Sequence, residues 1–139
     1  MSITVLDPGA LTTVQDAGRR SYAAQGYRTC GAADSYAYRL GNALVGNAPG
    51  AAVLECTLRG AEVRFEADTV FALTGAESPA ALDGAPVPYA VPRFAKAGSV
   101  LKMGTAATGL RKMCIRDRLP AGHHGHGEVL YAGRSEERR

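Results

Sequence analysis

The sequence predicts a mainly β domain with one helix, wound into a closed or partly closed β-barrel. Three observations carry this. Short apolar or alternating runs recur at close spacing across residues 3–103, one stretch has helical periodicity, and Asp83-Gly84 sits between two short apolar runs as a hairpin turn. Many short strands with little helix suit a sheet that curls on itself, because closure removes unpaired edges.

Residues 3–6 form an apolar run that reads as a strand and stops at Asp7-Pro8-Gly9, where Pro fixes φ and Gly permits φ > 0. Thr12, Thr13, Gln15, Asp16 and Arg19 then supply five hydrogen-bonding side chains within eight positions. Such a segment either lines something polar or is a solvated loop in which Thr12 and Asp16 cap local turns. Asp34 is placed to cap a helix over residues 35–45, where Tyr36, Leu40, Ala43 and Leu44 share one stripe and Gly46-Asn47 ends the pattern.

Beyond the helix, residues 52–58, 62–67 and 70–74 are rich in β-branched or apolar residues. Val63 and Phe65 alternate with Glu62, Arg64 and Glu66, as in a strand with one wet face. Asp83-Gly84 tolerates the positive φ values of a type I′ hairpin turn. Pro86, Pro88 and Pro92 confine the next segment to an edge or a loop, and residues 99–103 make a further strand after the turn at Ala97-Gly98. No repeat with a period of 20 to 50 residues is visible.

The 139 residues suffice for one domain and one core. Residues 1–111 hold 10 Lys/Arg against 9 Asp/Glu, and residues 112–139 hold 6 against 4, so the net charge of +3 is partly a property of the C-terminal stretch. No basic run or aromatic-interleaved stripe points to nucleic acid. His123, His124 and His126 all lie after residue 111, which excludes a Ser-His or Cys-His nucleophile pair within residues 1–111 and leaves carboxylates, Lys96, tyrosines and backbone dipoles. The histidines sit in a glycine-rich run without a Cys or carboxylate at ligand spacing, so no metal site is expected. Cys30, Cys56 and Cys114 are too few and uneven for a disulfide framework, and no leader pattern opens the chain, so a cytoplasmic protein is expected. No 18-residue apolar run occurs, so no membrane span is expected.

There is no G-x-x-x-x-G-K-[ST] and no G-x-G-x-x-G; residues 41–46 resemble half a Walker motif but lack Lys and lie in the helix pattern. ATP, if used, is held by other means or by another subunit. The best site residues are Gln15, Asp16 and Arg19, because an amide beside a guanidinium fork suits carboxylate or amide substrates. Glu55, between Leu54 and Cys56 in a strand, is a second candidate catalytic carboxylate beside Asp16, with a rim salt bridge as the alternative. Gly75, at a strand end, offers close backbone approach to a ligand or simply makes the turn.

Leu6-Asp7-Pro8-Gly9-Ala10-Leu11-Thr12-Thr13-Val14-Gln15-Asp16-Ala17-Gly18-Arg19 resembles the opening of the family of 5-oxoprolinase C subunits, also called the biotin-dependent carboxyltransferase or allophanate hydrolase subunit 2 family. Further matching blocks follow in order at residues 31–34, 42–47, 54–60, 72–76, 82–88 and 96–98, so the resemblance runs over residues 2–111. Ala33 departs from the larger apolar residue usual in the family, a packing difference. After Arg111 the family continues with an aromatic residue and a glycine-rich apolar strand, whereas this chain reads Lys112-Met113-Cys114-Ile115-Arg116-Asp117-Arg118. That heptapeptide matches an in-frame translation of a transposon mosaic end used in library preparation, and Arg134-Ser135-Glu136-Glu137-Arg138-Arg139 matches a translated sequencing adapter. The expected organisation is therefore residues 1–111 as the N-terminal part of a carboxyltransferase-type domain like that of the 5-oxoprolinase C subunits, followed by a non-native chimeric tail over residues 112–139.

The resemblance implies part of a cyclophilin-like barrel domain. It also implies a fragment of the C subunit of an ATP-dependent 5-oxoprolinase, which opens 5-oxo-L-proline to L-glutamate together with A and B subunits. Two alternatives remain open: a carboxyltransferase domain that moves carboxyl from carboxybiotin, with biotin as cofactor, to urea or a related amide; and a regulatory protein that binds a kinase inhibitor. In the first reading Asp16 and Glu55 are catalytic, and Gln15, Arg19 and Gly75 bind substrate.

Overall fold

The computed structural model describes residues 2–19, 21–116 and 129–131. Among them the chain is mainly β with one α-helix, as expected. The strands are β1 (Ile3–Asp7), β2 (Leu11–Gln15), β3 (Val53–Thr57), β4 (Glu62–Phe65), β5 (Thr69–Gly75), β6 (Ala80–Leu82), β7 (Ala85–Pro86), β8 (Arg93–Ala95), β9 (Val100–Met103), β10 (Arg111–Arg116) and β11 (Val129–Tyr131). The helix α1 spans Ser35–Leu44, and a short 3-10 turn covers Ala23–Gln25. One sheet has the order β11-β1-β4-β9-β6-β7 and the other β2-β3-β10-β5-β8. The described pairs are antiparallel except β1 with β11.

The core lies between the sheets. Ile3, Val5, Val63, Phe65, Leu101 and Met103 from the first meet Leu54, Cys56, Phe71, Leu73 and Cys114 from the second in one buried cluster. Period-2 alternation sends the next residues the other way, so Val53, Met113 and Ile115 leave the second sheet on its outer face and join Ala37 and Tyr38 of α1. The proline-confined segment supplies the edge strands β7 and β8, and Asp83 and Gly84 have φ of +49° and +84° at the hairpin turn, as a type I′ turn needs.

Three differences from the sequence reading have physical causes. Residues 11–15 form the edge strand β2, where the sequence left open a polar lining or a solvated loop; Thr12 points inward and donates to the Pro8 carbonyl at 2.7 Å, its oxygen lying 3.3 Å from the Cys56 sulfur. The boundary drawn after Arg111 falls inside β10, which pairs with β3 on one side and β5 on the other; Lys112-Met113-Cys114-Ile115 can fill that central place because its apolar residues alternate across the sheet. The rest of the expected tail, apart from β11, lies outside the described residues, including all three histidines.

The third difference is the helix face. Tyr36 is 71% exposed, and the buried positions are Ala37, Tyr38, Gly41 and Asn42. Ala37 and Gly41 are small because α1 lies close against β5 and β10 there: the Thr74 hydroxyl donates to the Ala37 carbonyl at 2.8 Å, and a Cβ on Gly41 would clash with Ile115 Cδ1. Asn42 ties the helix to the following loop, donating to the Ala51 carbonyl at 3.1 Å and accepting from the Asn47 amide group at 2.9 Å. Gly41→Ala is expected to lower stability by about 1–3 kcal/mol through overpacking, outweighing the roughly 0.5–1 kcal/mol that alanine gains in helix propensity. Urea denaturation of the variant, alone and combined with Ile115→Val, checks this. Shortening Ile115 should recover part of the loss, and no recovery would mean the contact is not the cause.

Candidate functional site

Two backbone turns and the start of α1 enclose the cleft that contains Asp16. The turn at residues 16–19 runs beside the turn at residues 29–32, joined by hydrogen bonds from the Ala32 amide to the Asp16 carbonyl at 3.0 Å and from the Arg19 amide to the Thr29 carbonyl at 2.7 Å. This approach requires glycine. Gly18 has φ of +78°, and a Cβ there would meet the Thr29 and Cys30 carbonyl oxygens at 2.5 and 2.6 Å. Below the turns, Glu55 Oε2 accepts from the Ala33 amide at 2.7 Å, and Asp34 caps α1 by accepting from the Ala37 amide at 2.9 Å. These anchors fix the walls from which the site side chains project.

The cleft holds about 310 Å³ and is lined by Asp16, Ala17, Thr29, Cys30, Ala32, Ser35, Tyr38 and Arg39. Asp16 Oδ1 accepts from the Gly18 amide at 2.8 Å, so the carboxylate is held by its own turn. Neither Asp16 nor Arg39 takes part in an ion pair among the described residues. Tyr38, only 5% exposed, forms part of the wall, and its hydroxyl has no hydrogen-bond partner of normal geometry among the described residues. Burial raises the Tyr38 pKa, the Asp16 charge raises it further, and the nearby Gly50 amide opposes both. Tyr38 therefore stays a neutral phenol near neutral pH. Chemically the cleft offers an acceptor on one wall, a guanidinium donor on another, and a free exposed thiol, Cys30.

Of the residues expected from the sequence, Asp16 reaches this cleft. Gln15 donates to the Thr13 hydroxyl at 3.0 Å and is not part of the lining. Arg19 is anchored through its backbone, while its side chain is exposed and outside the lining. Glu55 is 3% exposed and committed elsewhere, to the Ala33 amide and to Arg111 at 3.5 Å, a salt bridge buried on the Glu55 side and partly exposed on the Arg111 side. Gly75 has φ of +88°, and the backbone that crowds it is Arg111, whose carbonyl oxygen would lie 2.6 Å from an added Cβ. Its turn serves strand pairing with β10.

Sequence reading missed Cys30, Ser35, Tyr38 and Arg39. Ser35, Tyr38 and Arg39 are spaced i, i+3, i+4 and so share a helix face, which was a usable signal once Asp34 was placed as the cap. What no local pattern shows is that the 16–19 turn packs over that face. Among the described residues no group of three or more His, Cys, Asp or Glu is placed to hold a metal ion, and no helix is long and apolar enough to cross a membrane.

Comparison with known proteins fits this architecture. The family described as "Carboxyltransferase domain, subdomain A and B" matches residues 25–118. A putative urea carboxylase of Emericella nidulans is 43% identical over 108 residues, which is 78% of this chain and 9% of that protein. The 5-oxoprolinase C subunit of Haemophilus influenzae is 39% identical over 109 residues, 78% of this chain and 35% of the relative, and that of Escherichia coli is 47% identical over 81 residues, 58% and 26% respectively. The crystal structure of K. lactis urea amidolyase superposes with a TM-score of 0.79 at 36% identity, covering 82% of this chain and 7% of that one. The chain thus spans about a third or less of the length of these relatives.

Proposed function

Because the chain belongs to the carboxyltransferase domain, subdomain A and B, family, we propose that it is part of the C subunit of an ATP-dependent 5-oxoprolinase, acting with A and B subunits in the cytoplasm to open 5-oxo-L-proline to L-glutamate. The observation that carries this reading is the pair of 5-oxoprolinase relatives, of which the chain spans 35% and 26%. The chemistry agrees with it. A lactam is held closed by amide resonance, so its opening needs groups that grip the H–N–C=O unit and stabilise negative charge on oxygen. Asp16 as acceptor and a guanidinium as donor are groups of that kind.

No phosphate-cradling glycine loop is present in the sequence, so in this reading ATP is held by other means or by the partner subunits. A second reading, carboxyl transfer from carboxybiotin to urea or a related amide, is favoured by the 43% identical urea carboxylase and by the K. lactis structure.

The two readings separate in one experiment. The intact protein from the native locus, assayed with its A and B partners, is expected to release glutamate from 5-oxoproline with ATP consumption and to leave urea untouched. Carboxylation of urea in the presence of carboxybiotin, without lactam opening, would reverse the assignment. Arg19→Ala provides an internal comparison. If Arg19 binds the substrate carboxylate, as the sequence expects, turnover at low substrate falls about tenfold to a hundredfold, and Arg19→Lys recovers only part, since an ammonium lacks the planar fork.

A further inference from the structure

We propose that the cleft between the 16–19 and 29–32 turns and helix α1 is the binding site for a small amide with a free N–H beside its carbonyl, a lactam or a ureido group, with Asp16 accepting from the N–H and Arg39 donating to the oxygen. The inference deepens the functional reading above and rests on it for the identity of the compound, but its geometry stands alone.

Four observations support the assignment. The cleft is the size of a small-molecule site, open to solvent on one side and flanked by two turns tied to each other by backbone hydrogen bonds, so those walls are preformed. Its two charged residues have opposite sign and no ion-pair partner among the described residues, an arrangement that leaves an acceptor and a bidentate donor for a ligand presenting N–H and C=O together. Tyr38, nine-tenths buried in the wall, carries a hydroxyl with no hydrogen-bond partner of normal geometry among the described residues beyond the nearby Gly50 amide, and such a buried polar atom can take one from a ligand. Its raised pKa keeps it neutral, so it adds no second negative charge beside Asp16. Arg39 sits one helical turn from Ser35, on the same face of α1, and it replaces Arg19 as the guanidinium inside the cleft.

Cys30 supplies the readout. It is the exposed cysteine of the cleft, whereas Cys56 and Cys114 are buried, so alkylation of the folded 139-residue chain by iodoacetamide reports on this position. The expected result is that 2-pyrrolidinone, 5-oxo-L-proline or urea slows Cys30 alkylation with saturation in the millimolar range, and that 1-methyl-2-pyrrolidinone, which lacks the N–H, does not. Arg39→Ala and Asp16→Asn should each weaken protection about tenfold or more, with Arg39→Lys intermediate. Stronger protection by 5-oxo-L-proline than by urea identifies a lactam carboxylate as the ligand; the reverse order identifies the ureido source.

Equal protection by the N-methyl compound, or unaltered protection in Arg39→Ala, overturns the proposal, as does absence of protection by all three amides. Turnover of 5-oxoproline by the intact complex with an unchanged KM in Arg39→Ala would retire the cleft while keeping the 5-oxoprolinase reading. Cys30 protection by urea in a protein whose complex opens no lactam would do the opposite.

Discussion

Lys112→Met is expected to make the chain more stable by about 1–4 kcal/mol, taking as a guide the gain when packed apolar side chains replace buried ion pairs of similar volume, and to raise the melting temperature by several degrees. Lys112 lies on the core side of β10, with no exposed surface, opposite Cys56 and beside Gly60, and its ammonium donates to the Gly104 carbonyl at 2.7 Å. An ammonium has three N–H donors, and one hydrogen bond does not repay the loss of its hydration. Methionine has a similar unbranched shape, so overpacking does not confuse the comparison.

The pH dependence gives a second reading of the same site. Burial lowers the Lys112 pKa below its ordinary value of 10.5, partly opposed by Cys56. Below the lowered pKa the amine is charged in both folded and unfolded chains, and the full burial cost is present. As pH rises from there towards 10.5 the folded state gives up its proton first, the unfolded state holds more protons, and stability rises. The advantage of Lys112→Met should therefore narrow across that window. A variant no more stable than the parent, with a gap that does not change with pH, would show that the ammonium reaches water.

Gly18→Ala is expected to cost about 2–4 kcal/mol, combining the left-handed backbone penalty with overpacking against fixed backbone. The added Cβ would meet the Thr29 carbonyl oxygen at 2.5 Å, and carbonyl groups in a hydrogen-bonded turn cannot swing aside as a side-chain tip can. Gly26→Ala is the matched control, with φ of +82° and nothing within 4 Å of an added Cβ, so it should carry the conformational penalty alone, about 1–2 kcal/mol. Gly18→Ala should also abolish protection of Cys30 by lactams, because it separates the two turns that wall the cleft. Equal losses at the two glycines in thermal melts, with protection intact, would show that the turns are not packed as described.

Much of the fold follows from local rules. Asp34 could be read as a cap because its side chain precedes a helical period, Asp83-Gly84 as a hairpin because both residues accept positive φ, and the proline-rich segment as an edge because proline cannot donate to an interior ladder. These are decisions taken within a few residues, and the sequence by itself determined them. The family resemblance is likewise a property of the string of residues, and the family match over residues 25–118 bears the family out.

Which side chains meet across the chain was decided only by tertiary structure. The helix buries Ala37, Tyr38, Gly41 and Asn42 rather than the stripe of Tyr36, Leu40, Ala43 and Leu44, and close approach to Ile115 and Thr74 leaves no room for a side chain at Gly41. Glu55 looks like a catalytic carboxylate in sequence, yet its partners are the Ala33 amide and Arg111, 22 and 56 positions away. Arg19 and Arg39 are equivalent guanidiniums to a sequence reader, and the packing of the 16–19 turn over the face of Ser35, Tyr38 and Arg39 places one of them in the cleft and the other outside it. Local propensity acts over one turn of chain, whereas a site assembled from three separate segments depends on the register and crossing of elements that no local pattern encodes.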